Sequence, residues 1–401
     1  MATIDRPMSY AAYSRFVDAR YNIPTPNADW QSGRIELKNT EAEAKYLKAL
    51  LEICDKEKIT VIYPSRDPDI YICSKNKQML QDRNILTPVP ELDILLGVLD
   101  KGRTIELAQR AGFPCPKTIL GYRGMDISAV NSAFGPPWII KPRTSAGSTG
   151  MAIVNDLAKL QHTIEHVVAH YGNPLIQEYI PGSQRQNFYV LVDGNGDIHH
   201  IVCPNIVRYC RRLYRDSTAA SLSSTEHPWL PQVRDFVRSL NLRGAMTVQT
   251  KIDARDNTPK LLEINAGIRA HSWNAVALGV NSPLLCLKTE RKEKLPTVGE
   301  IPSGILFLDP IQDLTGFPTE FADWLVFWVR TKLLRRKPTD VNSSPPGPYR
   351  MLRSYAENYL GKHRKAFHPT VSLMLRDPKP NLLSAYIQLR YSLSNLRKVG
   401  T

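Results

Sequence analysis

The sequence predicts a mixed α/β (α+β) protein, and three features carry that prediction. Two strand-like runs, AMTVQTKI and KLLEIN, flank the turn-rich segment DARDNTP, as the arms of an antiparallel hairpin would. A second strand, turn and strand, PWIIKPRTSAGSTGMAIV over residues 137–154, bends through a run of small residues. Upstream of both, helix-like and strand-like segments alternate from Glu41 onward.

The elements follow in chain order. The first 30 residues hold the turn Ile23-Pro24-Thr25-Pro26 and no glycine-rich βα turn. A helix is expected from Glu41 to about Lys58, because Ala44, Leu47, Leu51 and Cys54 recur three or four residues apart. Ile59 to Pro64 reads as a buried parallel strand, and Ser74 to Arg83 as another helix. Lys101 to Gln109 reads as a helix stopped at Gly112, with two prolines beyond. Asp156 to His170 reads as the next, closing at Gly172. Its His162, His166 and His170 share one face, but the neighbouring segment offers no further ligand, so they are expected to face solvent. Arg291 to Glu300 and Ser343 to Pro348 read as connectors, and Asp377 to Arg397 as an amphipathic helix.

The central hairpin also carries chemistry. If it is centred on Asp256, Gln249 lies opposite Glu263, and Asn265 points the same way as Glu263. Three oxygen-bearing side chains on one sheet face suit a hard cation such as Mg²⁺, which keeps waters and substrate phosphates as its other ligands. An exposed polar hairpin face is the plain alternative. In the small-residue loop, Ser145 to Gly150 let backbone N–H groups approach phosphate oxygens, and Lys141 adds a point charge. This is not a Walker loop, which needs Gly-Lys-Ser/Thr at the start of a helix. Four arginines lie between Val207 and Asp216. They read either as a solvated surface or as a carboxylate or phosphate clamp, with Arg208 or Arg211 as the reader of a substrate acid.

Taken in order, these segments resemble the ATP-grasp superfamily, and most closely its carbamoyl-phosphate-synthetase-like branch. The likeness begins at Asp100-Lys101 and runs through Ala111 to Pro116, Lys141, the Gly147 loop and Gln177-Glu178-Tyr179-Ile180-Pro181-Gly182. It ends with Asp216-Ser217, placed like the family's Gly-Asp-Ser turn, and Gln249, Glu263 and Asn265. The resemblance implies an ATP-grasp fold in three parts: a Rossmann-like, shortened subdomain over residues 1–98, the ATP-grasp domain over 99–290 and a mainly helical extension over 291–401. Within the domain, a lid is expected over about 120–180 and a metal-binding part over about 181–290. The first strand of the Rossmann-like part is absent from the reading, which suggests a shortened variant or a truncated gene.

The resemblance further implies roles. Lys101 and Lys141 would contact ATP phosphates, Lys141 also lying near the adenine. Glu178 and Ile180 would hold the adenine, chiefly through backbone groups, within a cofactor-binding hinge that includes Gln177 and Tyr179, while Gly147, Ser148 and Thr149 would cover the phosphates as a lid. Gln249, Glu263 and Asn265 would bind one or two Mg²⁺ ions, with Mn²⁺ as a substitute, and the amide at Gln249 is what points to the named branch. Two departures stand out. Gln184 occupies the place of a ribose-gripping Glu, and Gly267 stands where the family has an arginine, which this chain delays to Arg269. The implied activity is an ATP-dependent carboxylate–amine ligase acting through an acyl phosphate on a small-molecule acid and amine. The alternatives are a carbamate or carboxylate kinase-like relative, and a nucleotide-binding regulatory or peripheral membrane protein with weak turnover.

Composition fits these expectations. The 401 residues are 42% hydrophobic, ordinary for a globular chain, and no run approaches the length of a membrane span. The cysteines at 54, 73, 115, 203, 210 and 286 are dispersed, so reduced structural thiols and a cytoplasmic location are expected. The 52 basic against 38 acidic residues give +14, yet no nucleic-acid module accompanies them, so no nucleic-acid partner is expected. Residues 321–337, FADWLVFWVRTKLLRRK, read as a helix packed on the core or in a homodimer contact, with weak membrane-surface contact as the alternative.

Overall fold

The computed structural model describes residues 2–4, 10–24, 40–145, 148–182, 184–212, 215–268, 275–276, 278–308 and 347–360, with scattered helical positions in 317–333 and 375–386. Two compact units emerge: Ile23–Cys203 with Thr225–Ile301, and Met1–Asn22 with Pro204–Ser224 and Pro302–Thr401.

The larger unit is built around two antiparallel sheets. In the first, the strands run in the order Thr118–Leu120, Pro174–Glu178, Trp138–Pro142, Ala152–Val154. The helix Leu157–Tyr171 covers it, and its buried Leu160, Ile164 and Val167 join Trp138, Ile140 and Ile176 in one core. The helix begins where the Asp156 side chain accepts from Ala158 N and ends at Gly172 with φ +77°. His162, His166 and His170 are exposed, as expected, and the last two rings sit 4.3 Å apart.

Gly150 fixes the return of the small-residue loop. Its φ is +73°, and a Cβ there would stand 2.7 Å from Pro142 Cγ. Gly150→Ala is therefore expected to destabilise the protein by about 2 kcal/mol, read as a lowered urea midpoint at unchanged slope.

The second sheet of this unit holds the predicted hairpin. Gly244–Ile252 pairs with Pro259–Ala266 on one side and Arg185–Val192 on the other, and Ile198–Val202 adds to the latter. The buried Phe188, Val190 and Val248 lie on its strands, and Phe236 of the helix Leu230–Ser239 stacks on Phe113 with ring centroids 4.7 Å apart.

Upstream, the helix Glu41–Glu57 is capped by Thr40, and Lys101–Arg110 by Asp100. Two expectations are corrected here. Ile59 to Pro64 is not a buried strand: it makes a single parallel bridge, Val61 to Leu86, and Thr60 and Tyr63 are exposed. The helix expected at Ser74 to Arg83 is two helices, Asp67–Lys75 and Lys77–Asp82, broken where Asn76 leaves helical geometry at φ −110° and ψ 20°.

In the smaller unit, Ala2–Ile4 pairs in parallel with Arg20–Asn22, a pair of short strands not anticipated at the start of the chain. Asn205–Arg212 and Arg215–Leu222 form an antiparallel ladder that continues to Leu306–Leu308. Asp216 and Ser217, expected in a turn, instead pair with Arg211 and Cys210 within that ladder. The helix Pro348–Tyr359 follows. Most of the tail helix expected from Asp377 to Arg397 lies outside the described residues. No described helix is long and apolar enough to cross a membrane. The described cysteines, Cys54, Cys73, Cys115, Cys203 and Cys286, are all free thiols.

Candidate active site

The register of the hairpin sets the site. Gln249 stands opposite Glu263, and Thr247 opposite Asn265, before a bulge shifts the ladder at Thr250. Asn265 Nδ2 donates to Glu263 Oε1 at 3.3 Å, so these two side chains share a face. The Glu263 carboxylate is about one-third exposed, which leaves it open to a ligand.

Two lysines approach that carboxylate from different elements. Lys101, the first residue of its helix, brings Nζ to 3.9 Å from Glu263 Oε2 and 2.5 Å from the carbonyl oxygen of Ser145. Lys141, in the middle of the first sheet, donates to the Leu262 carbonyl at 3.3 Å. It is buried, and that burial pulls its pKa down to about 7; the charge of Lys101 adds to the shift and Glu263 opposes it. Two lysines, one of them giving up its proton near pH 7, and one carboxylate thus face the oxygen-rich hairpin, and an anion placed there would favour the charged form of both lysines.

The hinge strand is held by its own contacts. Gln177 is buried and donates through Nε2 to Thr118 Oγ1 at 2.8 Å. Glu178 points to the opposite side: its Oε1 accepts from Lys117 N, and its Oε2 from Arg255 Nη2, both at 3.0 Å. Its own N–H donates to the Lys117 carbonyl. The Tyr179 ring lies 4.6 Å from Lys251 Nζ, and Ile180 is buried. Gln184 is exposed, and its carbonyl accepts from Ile252 N. In the loop, Ser148 is exposed at φ +59° and Thr149 half-buried.

Lys101, Lys141, Gln177 to Ile180, Gln184, Gln249, Glu263 and Asn265 all belong to the larger unit. Gly147 and Arg269 lie outside the described residues. Arg208 and Arg211 stand on the strand Asn205–Arg212 of the other unit, with their side chains outside the description.

Residues 98–271 match the sequence profile of the ATP-grasp domain. The chain carries an ATP-grasp domain. Among curated relatives, it is 28% identical to the D-alanine–D-alanine ligase of Albidiferax ferrireducens, over 49% of this chain and 61% of that protein. It is 26% identical to the same enzyme of Neisseria gonorrhoeae, over 47% and 66%. The chain thus spans less than two-thirds of those relatives' length. Among solved structures, the biotin carboxylase of Campylobacter jejuni superposes with a TM-score of 0.57 at 16% identity, covering 74% of this chain and 65% of that one. The N5-carboxyaminoimidazole synthetase of Staphylococcus aureus gives 0.55 at 14%, covering 80% and 78%.

The ATP-grasp domain contains ties that the sequence did not disclose. Arg143 grips Asp100 with two hydrogen bonds of 2.9 and 2.6 Å, and its carbonyl accepts from Lys101 N. Asp100 also caps the helix that begins at Lys101, so one ion pair fixes both the helix start and the lysine. Arg255 links the hinge to the hairpin turn by joining Glu178 to the buried Asp253. Each pair is far apart in sequence or hidden in a turn motif; the Asp-Lys step and the KPR run were the available signals. A cavity of about 330 Å³ opens beside Glu178 and Arg255, lined also by Lys117, Phe134, Pro137 and Tyr179. Neither lysine of the site nor Glu263 lines it.

Position 267 also has a physical explanation. Gly267 has φ +85°, and a Cβ there would meet Ile70 Cδ1 at 3.1 Å. The left-handed φ strains any side chain at this position and a Cβ would press on Ile70, so glycine suits the backbone better than the arginine that the resemblance expects two residues after Asn265.

Proposed function

We propose that this chain is an ATP-dependent carboxylate–amine ligase. The observation that carries the reading is the convergence of Lys101 and Lys141 on Glu263, beside Gln249 and Asn265 in the register of one hairpin. The residues fit the group they would hold: one carboxylate and two amide side chains are hard oxygen donors, and two lysines complement phosphates. Mg²⁺ bound there would neutralise charge on the phosphates and orient the terminal one.

The chain's own residues would do the rest. Lys101 and Lys141 hold the phosphate oxygens while a substrate carboxylate oxygen attacks the γ-phosphorus, and ADP leaves as the P–O bond to the β-phosphate breaks. An amine then attacks the acyl carbon, phosphate departs with the C–O pair, and the nitrogen loses a proton to give the amide. Ser148 and Thr149 sit on the loop that would close over the phosphates, and the hinge from Gln177 to Ile180, with Gln184 beyond it, would carry the nucleoside. Arg208, Arg211 and Arg269 are the candidates for the acid and the transferred phosphoryl group. The branch assignment rests on Gln249 alone. Cytoplasmic location and a homodimer belong to the same reading.

A second reading has its own support: the glycine held at positive φ at 267, where the resemblance expects an arginine, together with Gln184, favours a nucleotide-binding module with little turnover. Incubation with Mg-ATP, hydroxylamine and pooled small carboxylates separates the two. Hydroxamate with stoichiometric ADP is the expected result, because hydroxylamine intercepts an acyl phosphate whatever the natural amine. Tight Mg-ATP binding with neither product across amino acids, hydroxy acids and short peptides would favour the second.

A further inference from the structure

We propose that the exposed aromatic and basic face of residues 321–333 seats on an anionic lipid bilayer surface without crossing it. Phe321, Leu325, Trp328 and Lys332 follow at intervals of four, three and four residues, so a helix presents them on one side. The first three are helical, and Lys332 lies in the π-helical turn Val329–Leu333. One edge of the stripe is exposed: Phe321 is 41%, Leu325 44% and Trp328 40% exposed, and Leu333 beyond them 64%. Phe317 and Trp324 belong to the same run of rings, with centroids 6.5 Å apart for Phe317 and Phe321, 5.8 Å for Phe321 and Trp324 and 6.4 Å for Trp324 and Trp328, and Phe317 meets Tyr355 edge-on at 5.1 Å, so one edge of the stripe is covered and the other is exposed. A helix of a globular protein ordinarily covers its apolar stripe; an edge of that stripe left exposed marks a contact surface.

Charge chooses the occupant. Residues 321–401 contain fifteen Lys and Arg against four Asp and Glu, so they carry eleven of the chain's fourteen net positive charges. A second copy of the chain would bring two such basic stretches of sequence together, which like-charge repulsion opposes. A nucleic acid would answer the charge but not Leu325 and Leu333, since interfaces of that kind are polar and use aromatics to stack bases. An anionic bilayer answers both: tryptophan and phenylalanine settle at the headgroup level, leucines enter the acyl boundary, and Lys and Arg pair with acidic headgroups. No described helix is long and apolar enough to cross, so the contact is peripheral. The proposal does not depend on the ligase reading.

The test is sedimentation of the full chain with phosphatidylcholine vesicles, with and without phosphatidylserine. Pelleting is expected only with phosphatidylserine and is expected to fall as salt rises. Leu325→Ser with Trp328→Ser should lower the partition coefficient at least about tenfold. Lys332→Glu with Arg350→Glu, at exposed positions, should lower it several-fold and keeps the test valid if the apolar variant misfolds. No pelleting at low salt, or equal pelleting of wild type and both variants, would overturn the proposal. So would a dimer, or RNA capture, that the apolar variant abolishes in a protein that ignores vesicles.

Discussion

Replacing Glu263 by alanine is expected to abolish ATP turnover while leaving the chain folded. Glu263 is the carboxylate of the Gln249, Glu263 and Asn265 set, and Lys101 and Lys141 both lie within its field. Its removal takes away the anionic donor for a divalent cation and leaves two amides, which bind such ions weakly. A loss of about 10³-fold in kcat/KM follows, equivalent to about 4 kcal/mol of transition-state stabilisation. The structural cost is small, because the carboxylate is partly exposed and, among the described residues, accepts a 3.3 Å bond from Asn265 and a 3.9 Å ion pair from Lys101. A melting temperature within a few degrees of wild type, with ADP release at background, is the predicted pair of readings. Full turnover by Glu263→Ala would remove the metal assignment, and with it the main support for ligase chemistry.

That site was legible because its geometry is local. Two strands joined by a short link limit which residues can face each other, so Gln249 and Glu263 were paired by counting from Asp256; the pair is found, but the ladder starts at Ile252 opposite Pro259 and reaches it through the bulge between Gln249 and Thr250. Helix termini were legible for the same reason: Asp156 and Gly172, and Asp100 and Gly112, are caps that act within one turn. Contacts that close over long loops were not. Asp100 and Arg143 are 43 residues apart, and Glu178 and Arg255 are 77 apart. A hydrophobic pattern specifies which face is buried, not which ion meets it. Ile59 to Pro64 has the composition of a central strand, yet among the described residues its only bridge partner is Leu86, and a lone bridge makes no sheet for the segment to be buried in. The break at Asn76 was hidden as well, since the apolar residues continue on both sides of it.

The second large effect concerns Lys141. Its ammonium is buried beside another lysine, and its pKa is held at about 7 against an ordinary value near 10.5. The sign follows directly. In the unfolded chain the amine stays protonated up to about pH 10.5, while in the fold it gives up its proton near 7, so between those values the unfolded state binds more protons and stability rises with pH. Below pH 7 the full penalty of a buried, poorly compensated charge is present, on the order of 5 kcal/mol. Lys141→Met removes that penalty with little change in shape. It should melt higher than wild type at pH 6.5, with the difference shrinking as pH rises toward 10. Mg-ATP acts in the opposite direction: phosphates beside Nζ favour the ammonium, so wild type should take up a proton on binding near pH 8, and its affinity should fall as pH rises above 7. Calorimetry in buffers of different ionisation enthalpy measures that proton. Lys141→Met should bind Mg-ATP more than about tenfold more weakly and take up no proton. Retention of both the affinity and the proton in that variant would show that another group, rather than Lys141, meets the phosphates.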